Sequence, residues 1–188
     1  MQILGSGMLA QGTPGSARAI LTFGHLLPLA NGTLLATCRA GSTKDGADER
    51  IEFYRSADQG RTWSAPWQPW GPVTLNGLMG TLKICYLTEL APGHVLAAAM
   101  WIDRTTYPGQ PLFNAETEGC LPMYIVLAES TDEGMSWTAW RQVPLPADIG
   151  PASLTNPILK LADGSLAMSI ESNKQYHDRT KWYQKVVF

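Results

Sequence analysis

An eight-residue pattern occurs twice in this chain and restricts its fold more than any other feature. Ser56-Ala-Asp-Gln-Gly-Arg-Thr-Trp63 and Ser130-Thr-Asp-Glu-Gly-Met-Ser-Trp137 both read S-x-D-x-G-x-[ST]-W and begin 74 residues apart. Self-similarity at a fixed spacing marks an architecture assembled from repeated supersecondary units. Ahead of each copy, a short turn separates two apolar runs. Asn31-Gly32 divides residues 25–30 from 33–38, and Pro92-Gly93 divides 82–87 from 95–101. A third such turn, Asp163-Gly164, divides 157–161 from 165–170. Asn-Gly and Asp-Gly between apolar runs are strong hairpin signals, because both central residues of a two-residue turn need positive φ.

A repeat unit follows. Strand A ends at the glycine turn, strand B follows it, a variable loop leads to strand C, and strand C ends in the motif, whose Trp lies on strand D. In the motif, the Asp can accept bonds from turn amides that would otherwise go unpaired. The Gly two residues on permits positive φ, the Thr or Ser hydroxyl closes the loop, and the Trp ring packs between strands. Ser56, Asp58, Gly60, Thr62 and Trp63, with Ser130, Asp132, Gly134, Ser136 and Trp137, are therefore read as structural. No segment sustains a 3.6-residue apolar period, so the expectation is all-β. Four antiparallel strands recurring every 60–75 residues fit the blades of a β-propeller better than a sandwich. The expected blades span about 19–75 and 78–147, with a partial third at 152–188, about two and a half blades in one incomplete domain.

Composition excludes several classes of function. Fourteen Lys and Arg against sixteen Asp and Glu leave a net charge of -2, so no basic excess points to nucleic acid. No apolar run reaches the ~20 residues that a membrane-spanning helix needs. The N-terminus lacks the basic-then-apolar order of a signal peptide, which leaves the compartment open. Cys38, Cys85 and Cys120 form no CxxC pair and His25, His94 and His177 are isolated, so neither a metal nor another cofactor is expected.

The two motif copies resemble the Asp-box, or BNR repeat, of the sialidase (neuraminidase) superfamily of β-propellers. Asn31-Gly-Thr-Leu-Leu-Ala36, the charged loop after it and Arg55-Ser-Ala-Asp-Gln-Gly-Arg-Thr-Trp-Ser64 look like the first blade of such a protein. The resemblance runs from about Thr22 to the last residue. It implies a six-bladed propeller of which this chain is an N-terminal fragment, and an exo-glycoside hydrolase acting on terminal, anionic sugars. Sialidases carry an acid/base Asp in a loop of this first-blade region, so the resemblance puts that role on Asp48 or Asp45, with Asp48 preferred. Their Tyr nucleophile, its Glu partner and further arginines belong to later blades, and this chain alone is not expected to complete a turnover. The Arg-Ile-Pro element of sialidases is absent; Leu21-Thr-Phe-Gly-His-Leu-Leu-Pro28 stands in its place. That absence favours the alternative, a non-catalytic propeller that binds glycan or a protein partner.

Topology directs the search for ligand contacts. In an up-and-down blade the A–B turns and the motif turns share one face, and the long B–C loops share the other, where function concentrates. The first loop carries Arg39, Lys44, Asp45, Asp48, Glu49 and Arg50. The second begins at Asp103 and Arg104 and reaches Cys120, passing Tyr107. The third holds Glu171, Lys174, Tyr176 and Asp178. The expected carbohydrate contacts are Arg39, Arg50, Asp103, Arg104, Glu171, Lys174, Tyr176 and Asp178; of these, Arg39, Asp103 with Arg104, and Glu171 with Lys174 stand at equivalent points in successive repeats. An uncapped final strand, Tyr183–Phe188, also invites self-association through open blade edges.

Overall fold

The computed structural model describes residues 6–146, 148–180 and 185–187, and they contain strands and no helix. Three antiparallel assemblies follow one another along the chain, making a partial propeller. The first blade orders β1 (Ile20–Pro28), β2 (Leu34–Gly41) and β3 (Arg50–Ser56). The second orders β4 (Val73–Leu75), β5 (Leu78–Ala91), β6 (His94–Asp103), β7 (Met123–Ser130) and β8 (Arg141–Gln142). The third is split: β9 (Ala152–Leu154), β12 (Ile170–Ser172) and β13 (Lys185–Val187) form one sheet, and β10 (Leu159–Lys160) pairs with β11 (Leu166–Ala167) in a short ribbon. Of the expected last strand, Tyr183, Gln184 and Phe188 lie outside the described residues.

β6 explains how the blades stack. All its residues after His94 are buried, and their alternation sends them to two different cores. Val95, Ala97, Ala99 and Trp101 join Leu35 and Phe53 of the first blade. Leu96, Ala98, Met100 and Ile102 join Leu154 and Ile170 of the third. The abundant tryptophans fill the first of these interfaces. Trp70 packs against Trp140 at 4.4 Å and Trp137 at 5.1 Å between ring centroids, and Phe53 touches Trp67, Trp70 and Trp137. The three cysteines are buried and unpaired; burial pushes the Cys120 thiol up to about 11.

The two motif turns are superimposable in their bonding. Asp58 accepts from the Thr62 amide at 2.9 Å and hydroxyl at 2.6 Å, and Asp132 accepts from the Ser136 amide at 2.8 Å and hydroxyl at 2.5 Å. Ser56 and Ser130 each accept the amide of the motif glycine at 2.8 Å. Backbone φ is positive at two successive residues in each turn, Gln59-Gly60 and Glu133-Gly134. The tryptophans depart from expectation, since neither Trp63 nor Trp137 lies on a strand. Each ring folds back over its own turn glycine, with Trp137 Nε1 donating to the Gly134 carbonyl at 3.0 Å. That return course leaves only brief pairing beyond it, namely the bridge between Phe53 and Trp67 in the first blade and β8 in the second.

The hairpins also depart from expectation. Leu29 donates to Thr33 O and Gly32 to Leu29 O, so the first turn is a three-residue loop in which glycine alone takes positive φ. Leu161, Gly164 and Ser165 repeat this bonding. Asn31 and Asp163 hold these loops by accepting the amide two residues on, each at 2.9 Å. The two-residue Asn-Gly turn with both φ positive lies instead at Asn76 (51°) and Gly77 (81°). It joins β4 to β5 and gives the second blade a fifth strand.

Candidate functional site on the loop face

β2 ends, β3 and β5 begin and β6 ends at the same edge of the stacked sheets, and their charged termini meet there. Glu49, just before β3, has no solvent-exposed side-chain surface. It accepts Arg39 Nε at 3.0 Å, Arg104 Nη2 at 2.6 Å and Thr81 Oγ1 at 2.8 Å, with Lys83 Nζ at 3.5 Å. Lys83, on β5, is itself buried. Its ammonium donates to Asp45 Oδ1 at 2.6 Å and to the Lys44 carbonyl at 2.9 Å, and lies 5.6 Å from the centre of the Phe23 ring. Three cations thus contact two carboxylates directly, and a third carboxylate, Asp48, lies near enough to Arg39 to feel its charge. The Nη1 and Nη2 atoms of Arg39 are buried with no hydrogen-bond acceptor among the described residues, and a buried guanidinium end of that kind favours an anion or water beside it.

The remaining predicted residues are distributed differently. Asp48 is exposed and lines a cleft of about 270 Å³ with Glu49, Trp70 and Thr81. Partial burial pushes its carboxyl up, but bonds from the Ser42 hydroxyl and amide, each at 3.0 Å, outweigh this and hold it below the usual range. Arg50 turns away to the opposite sheet face, where it donates to the Ala17 carbonyl and to Glu52. The reason is alternation along β3, which places Arg50 and Glu52 on the same side. Glu52 there also receives Arg18 at 2.9 Å and the Tyr54 hydroxyl at 2.7 Å.

Asp103 is buried and occupied by its own turn, accepting from the Thr105 and Thr106 amides and the Thr106 hydroxyl. It is Arg104 that enters the cluster. Tyr176 is buried against Tyr107, with ring centroids 5.1 Å apart. Asp178 accepts from the Thr180 amide and hydroxyl, which lower its pKa. Lys174 uses its carbonyl to receive the Cys120 amide. Glu171 pairs across β12 with Ser153 and Val186, away from the Glu49 cluster. The structure therefore brings together Arg39, Asp45 and Arg104, and adds Glu49, Lys83 and Thr81. A lysine inside the apolar run of strand A was the available signal for Lys83.

Among the described residues no group of three or more His, Cys, Asp or Glu could hold a metal, and no helix is long and apolar enough to cross a membrane. No family model and no curated protein matches the chain. Solved structures do match. The "Hadza microbial sialidase Hz136" aligns with a TM-score of 0.65 at 16% identity, over 83% of this chain and 33% of that one. The NanB sialidase of Streptococcus pneumoniae aligns at 0.63 and 12%, over 96% and 46%. A polysaccharide lyase of family PL25, an ulvan lyase, aligns at 0.62 and 10%, over 89% and 40%. The fold is that of the sialidase-like propellers, and the chain spans about a third to a half of the length of these three structures.

Proposed function

We propose that this chain binds a terminal, anionic sugar on its loop face, as part of a sialidase-like carbohydrate-active propeller. The observation that carries the reading is Arg104, the partly exposed cation of the Glu49 cluster, which Glu49 holds at 2.6 Å and which lines a cleft of about 290 Å³ beside it. Charge-assisted bonds from such a donor are the strong means of fixing a carboxylate. That sialidases and a polysaccharide lyase share the fold supports carbohydrate as the ligand class. Hydrolysis is the second reading, with Asp48 or Asp45 as the proton donor. A general acid at neutral pH needs a raised pKa, whereas the Ser42 bonds lower that of Asp48. The geometry therefore supports binding more strongly than proton donation.

The test is a calorimetric titration of the chain with N-acetylneuraminic acid, glucuronic acid and galactose, repeated on Arg104→Ala with a thermal melt as the folding control. The acids should bind, galactose should not, and the variant should lose about tenfold or more in affinity. Equal binding of acidic and neutral sugars, or none of either, overturns the reading.

A further inference from the structure

The dipeptide Asn-Gly occurs twice in the chain, and the fold puts its two copies in opposite chemical situations. Asparagine is among the chemically labile residues, and a glycine after it leaves the next amide nitrogen unscreened by any side chain. Asn31-Gly32 is pinned. The Gly32 amide donates to Leu29 O at 2.9 Å, Asn31 Oδ1 accepts the Thr33 amide at 2.9 Å, and Asn31 Nδ2 donates to Glu133 Oε1 at 2.8 Å. Asn76-Gly77 is exposed at the tip of the β4–β5 hairpin. Its Gly77 amide donates to no acceptor among the described residues, and apart from its chain neighbours no atom lies within 4 Å of where a side chain on Gly77 would begin. The Asn76 carboxamide makes one bond, from Nδ2 to Gln142 Oε1 at 3.2 Å. The carboxamide and the amide nitrogen that follows it are thus open to each other and to water.

The same hairpin supports the candidate site. Met79, two residues past the turn, accepts the Arg104 amide at 3.0 Å, and its own amide donates to Thr105 Oγ1 at 2.9 Å. Thr81, on the same strand, accepts Arg104 Nε at 3.1 Å. We propose that Asn76-Gly77 is a self-modification site and that its conversion loosens the seat of Arg104. The Gly77 nitrogen attacks Asn76 Cγ, and the new C–N bond closes a five-membered imide. The carboxamide nitrogen leaves as ammonia, taking the proton that the Gly77 amide gives up. Water then opens the imide at either carbonyl, yielding aspartate or isoaspartate. Each product carries a negative charge that asparagine lacks. Isoaspartate also adds a carbon to the main chain, within a turn whose register sets Leu75 opposite Leu78. At Asn31-Gly32 the same attack must first break the bonds that hold the Gly32 amide and both ends of the Asn31 carboxamide. The consequence for Arg104 rests on the anionic-sugar reading above, whereas the modification itself does not.

The experiment ages the chain in mildly alkaline buffer and follows both dipeptides by peptide mass mapping, with a parallel sample unfolded in urea as the reference rate for each. Folding should slow Asn31 at least about tenfold more than it slows Asn76, the scale of two ordinary hydrogen bonds. Equal slowing at the two sites, or stronger slowing at Asn76, overturns the modification site. Calorimetric titration with N-acetylneuraminic acid reads the consequence. Wild type aged until Asn76 is mostly converted should bind about tenfold more weakly than fresh protein. Aged Asn76→Gly, which accepts the positive φ and has no carboxamide, should bind as fresh protein does. A converted Asn76 with unchanged affinity overturns the link to Arg104 alone. Failure of fresh wild type to bind the acid overturns the anionic-sugar reading and that link with it, while the mapping still decides the modification.

Discussion

Arg39 and Glu49 are both wholly withdrawn from solvent, and Arg39 Nε meets Glu49 Oε2 at 3.0 Å. The same carboxylate also receives Arg104, Thr81 and Lys83, so one side chain ties β2, β5 and the end of β6 to the start of β3. Burying these ions costs more than an isolated pair returns, and the arrangement depends on every partner being present. Glu49→Gln would leave Arg39 and Lys83 facing a neutral amide in a dry site. The expected loss is about 3–5 kcal/mol, the scale found when one partner of a buried pair is removed. It should be read as a lower urea midpoint with an unchanged slope; a shift near zero would mean that the cluster contributes nothing to stability.

The motif turns set an acid limit on the fold. The Thr62 hydroxyl and amide and the Ser56 hydroxyl hold Asp58 at about 2, and Ser136 and Ser130 do the same for Asp132, against an ordinary value of 3.8. Because the folded-state pKa is depressed, the unfolded chain binds protons more readily. These groups stabilise the fold fully above about pH 4 and lose that contribution as pH falls toward 2. Melting temperature against pH should drop through this window, and the double variant Asp58→Asn, Asp132→Asn should flatten the drop. An equally steep profile in the variant would remove these aspartates as its source.

The two motif glycines are alike in backbone and unlike in surroundings. Gly60 and Gly134 both have φ near +84°, at 84° and 83°, so an added Cβ costs about 1–2 kcal/mol at either site. At Gly60 that Cβ would meet Leu34 Cδ1 at an ordinary 3.5 Å. At Gly134 it would press on Leu35 Cδ1 at 2.9 Å, because the second blade's turn is set into the first blade, where Arg55 grips Glu133 at 2.5 Å. Gly134→Ala should therefore destabilise more than Gly60→Ala in paired melts, by about 1 kcal/mol or more. Equal effects would show that Leu35 yields freely.

The hairpins show where sequence reading loses resolution. Asn31-Gly32 and Asn76-Gly77 are the same dipeptide between apolar runs, yet only the second forms the two-residue turn. Asn31 spends its side chain on the Thr33 amide and on a bond to Glu133, a residue 102 positions away. A local pattern cannot weigh a contact at that distance. The candidate site shows the same limit. Arg39 and Arg104 were legible as charges following strand B in successive repeats. Lys83, a single cation within an apolar strand, acquires its place only when β5 lies beside the 42–49 loop.

What the sequence alone determined is what local chemistry enforces. The Ser-x-Asp-x-Gly turns close on their own hydroxyls and amides, and short apolar runs broken by glycine turns commit the chain to antiparallel strands, hence to blades. Only the tertiary structure decided which charges share a site. Arg50 and Asp103 stand next to cluster residues in the chain yet bond elsewhere, because strand alternation turns one to the far face and a turn of threonines consumes the other. A side chain's neighbours across a sheet or between blades depend on register and packing, and neither is encoded in any short stretch of residues.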